Sequence, residues 1–453
     1  MARSDKWFLG SLGTVLVATC LAAWALGDLR QNTVGFLGLF FLAFVAYGLA
    51  CCWALGAGPV QRRVVYGLFA VAVLAQAILV FNRPTLSDDM YRYVWDGRVQ
   101  AQGISPYRYP PSAPELANLQ DGNIYPSINR STDVTVYPPA AEAAFALLWR
   151  IWPDRVHWFQ AAMALGGSIA GVLLAGMLHD LKRSPKRLLI YLWSPLLAYE
   201  TAHSAHVDGL VLPLLVGAWW ARVRERDGLV GFLLGIATAM KLYPALLLPF
   251  LWRPRHPRGR WAMPLAFGAA LGLFYLPYWL TSGRSVLGFL PNYFQEYFNV
   301  APLVALLMDG LNAARLNTST ILVCLTLGLI ALAALWAIFH PAADAEMALR
   351  RCIWPIGIFT LLSQNLFSWY MLWLLPLVAL FIEPSGRKLA GLNLPRLDAW
   401  TGWWLFCGLV GLSYTFFINW QPMEAAILAQ FLPLYAFLLV DLVRSHAKHL
   451  PVA

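Results

Sequence analysis

Apolar and polar positions alternate along this chain in one coarse rhythm, with long apolar runs separated by short polar gaps. A run of about 20 apolar residues crosses the roughly 30 Å hydrocarbon layer as helix. Runs at about 7–27, 34–55, 64–82, 156–178, 188–202, 207–221, 262–281, 319–340, 352–368, 369–383, 399–417 and 424–443 each predict a span. The expected fold is therefore an all-α polytopic membrane protein with about 12 full spans.

The polar gaps set the direction of each crossing. Basic residues cluster at Arg62 and Arg63, at Lys182, Arg183, Lys186 and Arg187, at Arg222, Arg224 and Arg226, at Arg253, Arg255, Arg258 and Arg260, and at Arg387, Lys388 and Arg396. Cytoplasmic loops carry such an excess, so these gaps and both termini are expected inside. Three spans then deliver the chain outside at Arg83, which makes Arg83 to Tyr137 an external loop with about eleven charges and six prolines.

Two apolar stretches conflict with this parity. The one at 138–152 has about 15 residues, which as helix covers only about 22 Å, and is expected to dip into the membrane without crossing. The other, 229–252, has Arg-rich gaps on both sides and predicts a helical hairpin entering from the cytoplasm, broken at Lys241-Leu242-Tyr243-Pro244. Irregular backbone at membrane depth is tolerated where it is buried in protein or lines a cavity, so both anomalies point to a cavity. No inverted repeat is visible. Four regions follow: spans at 1–82, the external loop with a juxtamembrane helix at 83–137, and transmembrane modules at 138–281 and 282–453.

Composition agrees with the pattern. A chain of 453 residues would suggest about three soluble domains, but 59% hydrophobic and 12% charged residues give roughly half the charge fraction of a soluble protein. The net charge of +10 comes from the gap clusters and not from a dense polar stretch of the kind that binds nucleic acid. The six cysteines lie in apolar segments at no metal-ligand spacing, which implies neither disulfides nor zinc. The N-terminal apolar stretch has no small-residue cleavage pattern and is expected to be a retained first span.

Candidate chemistry concentrates in a few polar stretches. Ser87 is a plausible N-cap and Gly103 a plausible stop for a short interfacial helix over 88–102. Asp88 and Asp89 would sit in its first turn, where the helix dipole keeps them ionised. They can serve as proton acceptors or merely cap the helix, with Arg92 pairing to Asp88 and Asp96 at i,i+4 spacing. A second cluster, Glu200-Thr201-Ala202-His203-Ser204-Ala205-His206-Val207-Asp208-Gly209, falls at an outer turn. Ionisable groups so near hydrocarbon are costly and usually functional. Metal binding, a hydrogen-bonded turn and substrate contact all remain open there, although two histidines three apart lack a third ligand.

Lys241 has no acid beside it in sequence and needs a partner anion, such as Glu200, Asp208 or a lipid phosphate; the bland alternative is snorkelling. Gln364-Asn365-Leu366-Phe367-Ser368-Trp369-Tyr370 and Asn292-Tyr293-Phe294-Gln295-Glu296 are polar and aromatic, although interfacial Trp and Tyr are ordinary belt residues.

Taken in order, the paired acids opening the external loop, the following RYVWDGRVQAQGISPYRYPP, the VYPP at Val136 to Pro139, HSAHVDG, GIATAMKLYP and SWYMLWLLP resemble the GT-C superfamily of membrane glycosyltransferases. The likeness covers about residues 64–380 and is closest to the bacterial mannosyltransferase-like branch. It implies a GT-C fold, a polyprenyl-phosphate sugar as donor, and a catalytic Asp at Asp88 or Asp89. Such an enzyme would move a hexose, most simply mannose, by a single inverting displacement. One carboxylate would be the general base for the acceptor hydroxyl, while cations and donors meet the leaving phosphate.

Arg92, Arg98, His203, His206 and Lys241 form the pool for that phosphate. Tyr91, Trp95, Asp208, Tyr243, Trp369 and Tyr370 are the candidate substrate contacts. No cofactor or metal is expected. The expected partners are the polyprenyl-phosphate sugar, a glycolipid, glycan or protein acceptor, and the bilayer, with no nucleic acid. The place of action would be the cell (inner) membrane with the site facing the periplasm or exterior. A lipid-linked sugar flippase and a glycan polymerase or ligase are the competing readings.

Overall fold

The computed structural model describes residues 3–257, 259–289 and 296–447. Three long helices open the chain: α1 (Arg3–Leu26), α2 (Thr33–Ala54) and α3 (Arg62–Val80). After α3 the chain enters the polar loop through α4 (Asp89–Ala101). It leaves through α5 (Pro139–Ile151) and then runs down α6 (Val156–Asp180).

The start of α4 differs from the sequence expectation by one residue. Asp88, not Ser87, is the N-cap, and the Ser87 hydroxyl instead accepts from the Asp89 amide at 3.3 Å. Gly103 does stop the helix: its φ of +73° is a conformation open to glycine because it has no Cβ.

Among the described residues, eight helices are long and apolar enough to cross a membrane, so the chain is a multi-pass membrane protein. Of the expected 12 or so full spans, these eight are long helices and the other four are shorter or broken. The segment at 188–202 forms two short helices, Leu188–Leu192 and Pro195–Ala198, and a π-helical turn at Tyr199–His203. The segment at 207–221 is a helix of 16 residues, Asp208–Val223. The pair at 352–368 and 369–383 forms Ile353–Leu362, a 3-10 turn at Ser368–Trp373 and Leu375–Phe381. Every residue of Leu188–Leu192 and of Leu375–Phe381 is buried. Broken backbone is tolerated there because protein, not lipid, surrounds it. The chain is mostly helical, as expected, and a small two-stranded antiparallel hairpin, Pro384–Leu389 with Leu392–Pro395, lies within it.

Both parity conflicts have a geometric answer. α5 lies along α4, close enough that a Cβ on Gly97 would sit 2.7 Å from the Phe145 carbonyl oxygen. The Asp154 carboxylate just beyond α5 pairs with Arg98 of α4 at 2.8 Å, so the chain after α5 stays tied to α4. The stretch after Asp227 likewise returns. Helix Asp227–Met240 ends in an extended Lys241, a 3-10 turn at Tyr243–Leu247 leads back, and Arg253 closes the loop on Asp227 at 2.5 Å. Gly235 in the first arm lies so close to Phe267 and Ala270 of the helix Gly259–Ser282 that any Cβ there would meet atoms at 2.7 Å, and small residues permit that approach.

The basic gaps gather at one end of the bundle. Arg183 pairs with Glu346 and Glu383, Arg187 with Glu383, and Lys186 donates to the Gly56 and Ala57 carbonyls. The polar loop, the turn from His203 to Asp208 and the Ser363–Ser368 segment gather at the other end, around a cavity.

Candidate active site

The cavity has a volume of about 710 Å³. Its polar side is built by the N-terminus of α4, which brings in Asp88, Asp89 and Arg92, and by Asn129 and Arg130 of the loop. Lys241 and Tyr243 enter from the hairpin apex, and Trp369, Tyr370 and Trp373 from the turn after Ser368. Its apolar wall includes Val323, Leu327 and Ile330 of the helix Thr318–Phe339.

The two adjacent acids have different surroundings. Asp88 is bound by Arg30 from the α1–α2 turn at 2.7 Å, with 42% of its side chain exposed. Arg30 is itself held by the Thr85 carbonyl at 2.7 Å and lies over the Phe417 ring. Asp89 accepts from the Asn129 amide at 2.6 Å, and its second oxygen lies 4.0 Å from His206 Nε2. The expected contact between Asp88 and Arg92 does not form. Arg92 instead grips Asp96 through Nε at 2.9 and 3.0 Å and donates to the Arg130 and Asp133 carbonyls, which leaves its Nη2 buried without a partner. Burial pushes the Asp96 carboxyl up, against the pull of the Arg92 guanidinium.

His206 is buried behind Asp89. Its ring stacks on Trp369 with centroids 3.7 Å apart, and Nε2 lies 3.1 Å from the Ser87 hydroxyl. On its far side Nδ1 lies 3.0 Å from Glu200 Oε2, within ion-pair distance but without the alignment of a hydrogen bond. The other Glu200 oxygen accepts from the Tyr414 hydroxyl at 2.9 Å.

Lys241 has found an acid. Its ammonium is 2.5 Å from Asp208 Oδ2, while Trp373 Nε1 donates to the other Asp208 oxygen at 2.6 Å. Asp208 is wholly buried, but 22% of the Lys241 side chain is exposed. The ammonium also sits 5.0 Å from the centre of the Tyr370 ring.

Other sequence candidates lie elsewhere. Arg98 is outside the cavity lining, with its donors taken by Asp154, Asp121 and the Leu119 carbonyl. Burial would raise the Asp121 carboxyl, yet Arg98 and the Tyr125 and Ile124 amides hold it down to about 2. Tyr91 accepts from Arg83, and Trp95 is buried against Tyr125; neither lines the cavity. His203 is buried and takes the Thr85 amide at 3.3 Å. Of the stretch Asn292 to Glu296, only Glu296 is among the described residues; it pairs with Arg130. Among the described residues, no three His, Cys, Asp or Glu side chains are grouped to hold a metal ion.

Residues the sequence did not single out include Arg30, Asn129, Arg130, Trp373 and Tyr414. Arg30 carried no local signal, because it sits in a short turn between two spans. Asn129 and Arg130 were legible only as part of a polar loop.

One cavity thus joins an acid pair, a cation and an apolar wall in a multi-pass membrane protein. The model of glycosyltransferase family 87 matches residues 135–364, half of this chain. The protein belongs to that family and is a membrane glycosyltransferase. No curated protein matches it. The matched region contains His206, Asp208, Lys241 and Tyr243, whereas Asp88 and Asp89 precede it.

Proposed function

We propose that this enzyme transfers a hexose, most simply mannose, from a polyprenyl-phosphate donor to the hydroxyl of a glycolipid, glycan or protein acceptor, with inversion at the anomeric carbon. The observation that carries this reading is that one cavity combines Asp88 and Asp89, the Lys241 ammonium and an apolar wall on the helix Thr318–Phe339. A lipid-linked sugar needs these three surroundings: apolar surface for the prenyl chain, positive charge for its phosphate, and a base beside the sugar.

In this reading the prenyl chain lies along Val323, Leu327 and Ile330. Its phosphate meets Lys241 and the unpartnered Nη2 of Arg92. As the anomeric carbon–phosphate bond breaks, charge grows on the phosphate, and preorganised cations lower the barrier. One carboxylate of the pair Asp88 and Asp89 takes the acceptor proton as the new glycosidic bond forms. His206 stands behind the acids and not at the phosphate. The site faces the exterior of the cell (inner) membrane, since the basic gaps lie at the opposite end and follow the positive-inside pattern.

The test is purified protein given polyprenyl-phosphate mannose, glucose and galactose with a membrane lipid extract as acceptor, reading release of polyprenyl phosphate. Release with one sugar is expected, and replacing the base by Asn should cut turnover by about 10²–10⁴-fold with donor binding nearly intact. Full turnover in both Asp88→Asn and Asp89→Asn would remove the acids from the mechanism.

A further inference from the structure

Resting on that reading, we infer that Asp89 is the base and that a buried Glu200–His206 pair takes over the proton it collects, which makes Glu200 a positioning residue for the reaction. The two acids differ in what surrounds them. Asp88 is clamped by the Arg30 guanidinium at 2.7 Å, so an acceptor hydroxyl would have to displace a charged partner to reach it. The hydrogen bond that Asp89 receives comes from the neutral Asn129 amide. Its free oxygen faces an imidazole 4.0 Å away.

His206 and Glu200 are each 1% exposed, in a setting where a lone carboxylate is costly. The chain adopts unusual backbone to bring them together. Tyr199–His203 is a π-helical turn, a feature frequent at functional sites. Ala205, directly before His206, has φ of +55°, a region where non-glycine residues are uncommon and which is often occupied at functional sites. The His206 amide then donates to the Glu200 carbonyl at 2.9 Å, which folds the carboxylate back beneath the ring. Stacking on Trp369 fixes the ring plane, Ser87 holds Nε2 and Tyr414 holds the second Glu200 oxygen.

The charged and titratable groups around His206 are Asp89 and the Arg30–Asp88 pair on the α4 side, Glu200 and His203 within its own turn, Tyr414 across the bundle, and the Lys241–Asp208 pair beyond. Of these, the groups within ion-pair distance of the ring are Asp89 and Glu200.

The proton balance is simple. The acceptor O–H bond breaks, its oxygen bonds the anomeric carbon, the carbon–phosphate bond breaks, and the proton arrives on Asp89. His206 then takes that proton on Nε2. The resulting imidazolium is matched by Glu200 at Nδ1 until the products leave, when the proton passes back through Asp89 to water entering the cavity and both groups are reset for the next acceptor. A 4.0 Å approach must shorten in that step, and apo geometry is commonly looser than the working complex.

The test uses the full-length enzyme and whichever polyprenyl-phosphate sugar the panel above shows to be a donor. Glu200→Gln keeps an acceptor for Tyr414 and removes only the charge. It should lower kcat about 10–100-fold with KM for the donor little changed, and Glu200→Asp should recover part of the loss. Asp89→Asn should be far more damaging than Asp88→Asn. A purely structural Glu200 would give the opposite split, a lower melting temperature with unchanged kcat per folded molecule, and that result overturns the inference. If Glu200→Gln does not fold, Glu200→Asp and the two Asn variants decide alone, and equal effects of Asp88→Asn and Asp89→Asn count against it. Failure of the wild-type enzyme to release polyprenyl phosphate from any donor would instead overturn the proposed function.

Discussion

The two ends of this bundle use the same charged side chains for different purposes. At the basic end Arg183, Lys186, Arg187 and Arg253 are each spent on a partner. Arg187 donates to the Ala379, Leu380 and Ile382 carbonyls and pairs with Glu383, and Arg253 closes the hairpin on Asp227. At the loop end the charges are also paired, yet Asp88, Asp89, Arg92 and Lys241 all border the cavity. Pairing therefore does not separate structural charge from functional charge here. Access to the cavity does, because a paired group at its wall can exchange its partner for a substrate group at little desolvation cost.

The broadest way to break this comparison is to show that the two ends face the same compartment. Single cysteines at Ser112 and Ser445, both exposed, in a background lacking the six native cysteines, should react with an impermeant thiol reagent from opposite sides. Same-side reaction would undo the assignment of both ends.

Next in size is Lys241→Met. It removes the cation at the cavity and leaves the buried Asp208 unmatched, which costs on the order of 3 kcal/mol. Both a lower melting temperature and weaker donor binding are expected. Adding Asp208→Asn should restore most of the melting temperature, since an amide can still accept from Trp373, while donor affinity stays weak. Donor affinity recovering together with stability would place Lys241 with the structural charges of the basic end.

Arg187→Met should cost a similar or smaller amount, about 2–3 kcal/mol, read as a lower melting temperature, with turnover per folded molecule unchanged. A fall in turnover would mean that the basic end takes part in the reaction.

The smallest expected effect lies in the loop itself. With its pKa held down to about 2, below the unperturbed value near 3.9, Asp121 adds stability that is fully present above pH ~4 and is lost as pH falls towards 2. Its side chain is 33% exposed, so the effect is a modest one. Limited proteolysis of the loop between pH 5 and 3 should show increasing cleavage that Asp121→Asn makes less dependent on pH.

The sequence placed the elements whose signal is local. Apolar runs located the eight long helices, the Lys241-Leu242-Tyr243-Pro244 break marked the hairpin apex, and Gly103 ended α4. The other four expected spans are shorter or broken helices, because apolarity alone does not separate a lipid-facing helix from a buried, broken segment such as Leu188–Leu192. The likeness of ordered motifs pointed to a membrane glycosyltransferase, and family membership bears that out.

What the sequence could not specify is which charges meet. Asp88 and Asp89 are adjacent in the chain and chemically identical, yet Arg30 reaches one from 58 residues away and Asn129 the other from 40 residues away. Lys241 had three candidate anions by sequence, and the structure pairs it with Asp208. Arg98 and Trp95, within one helical turn of each other, both pack into the loop and away from the cavity. Hydrophobic periodicity and basic gaps are properties of short windows, because each reports how one segment meets lipid or water. Charge pairing depends on where separate helices stop and turn relative to one another, and only the packed bundle decides that.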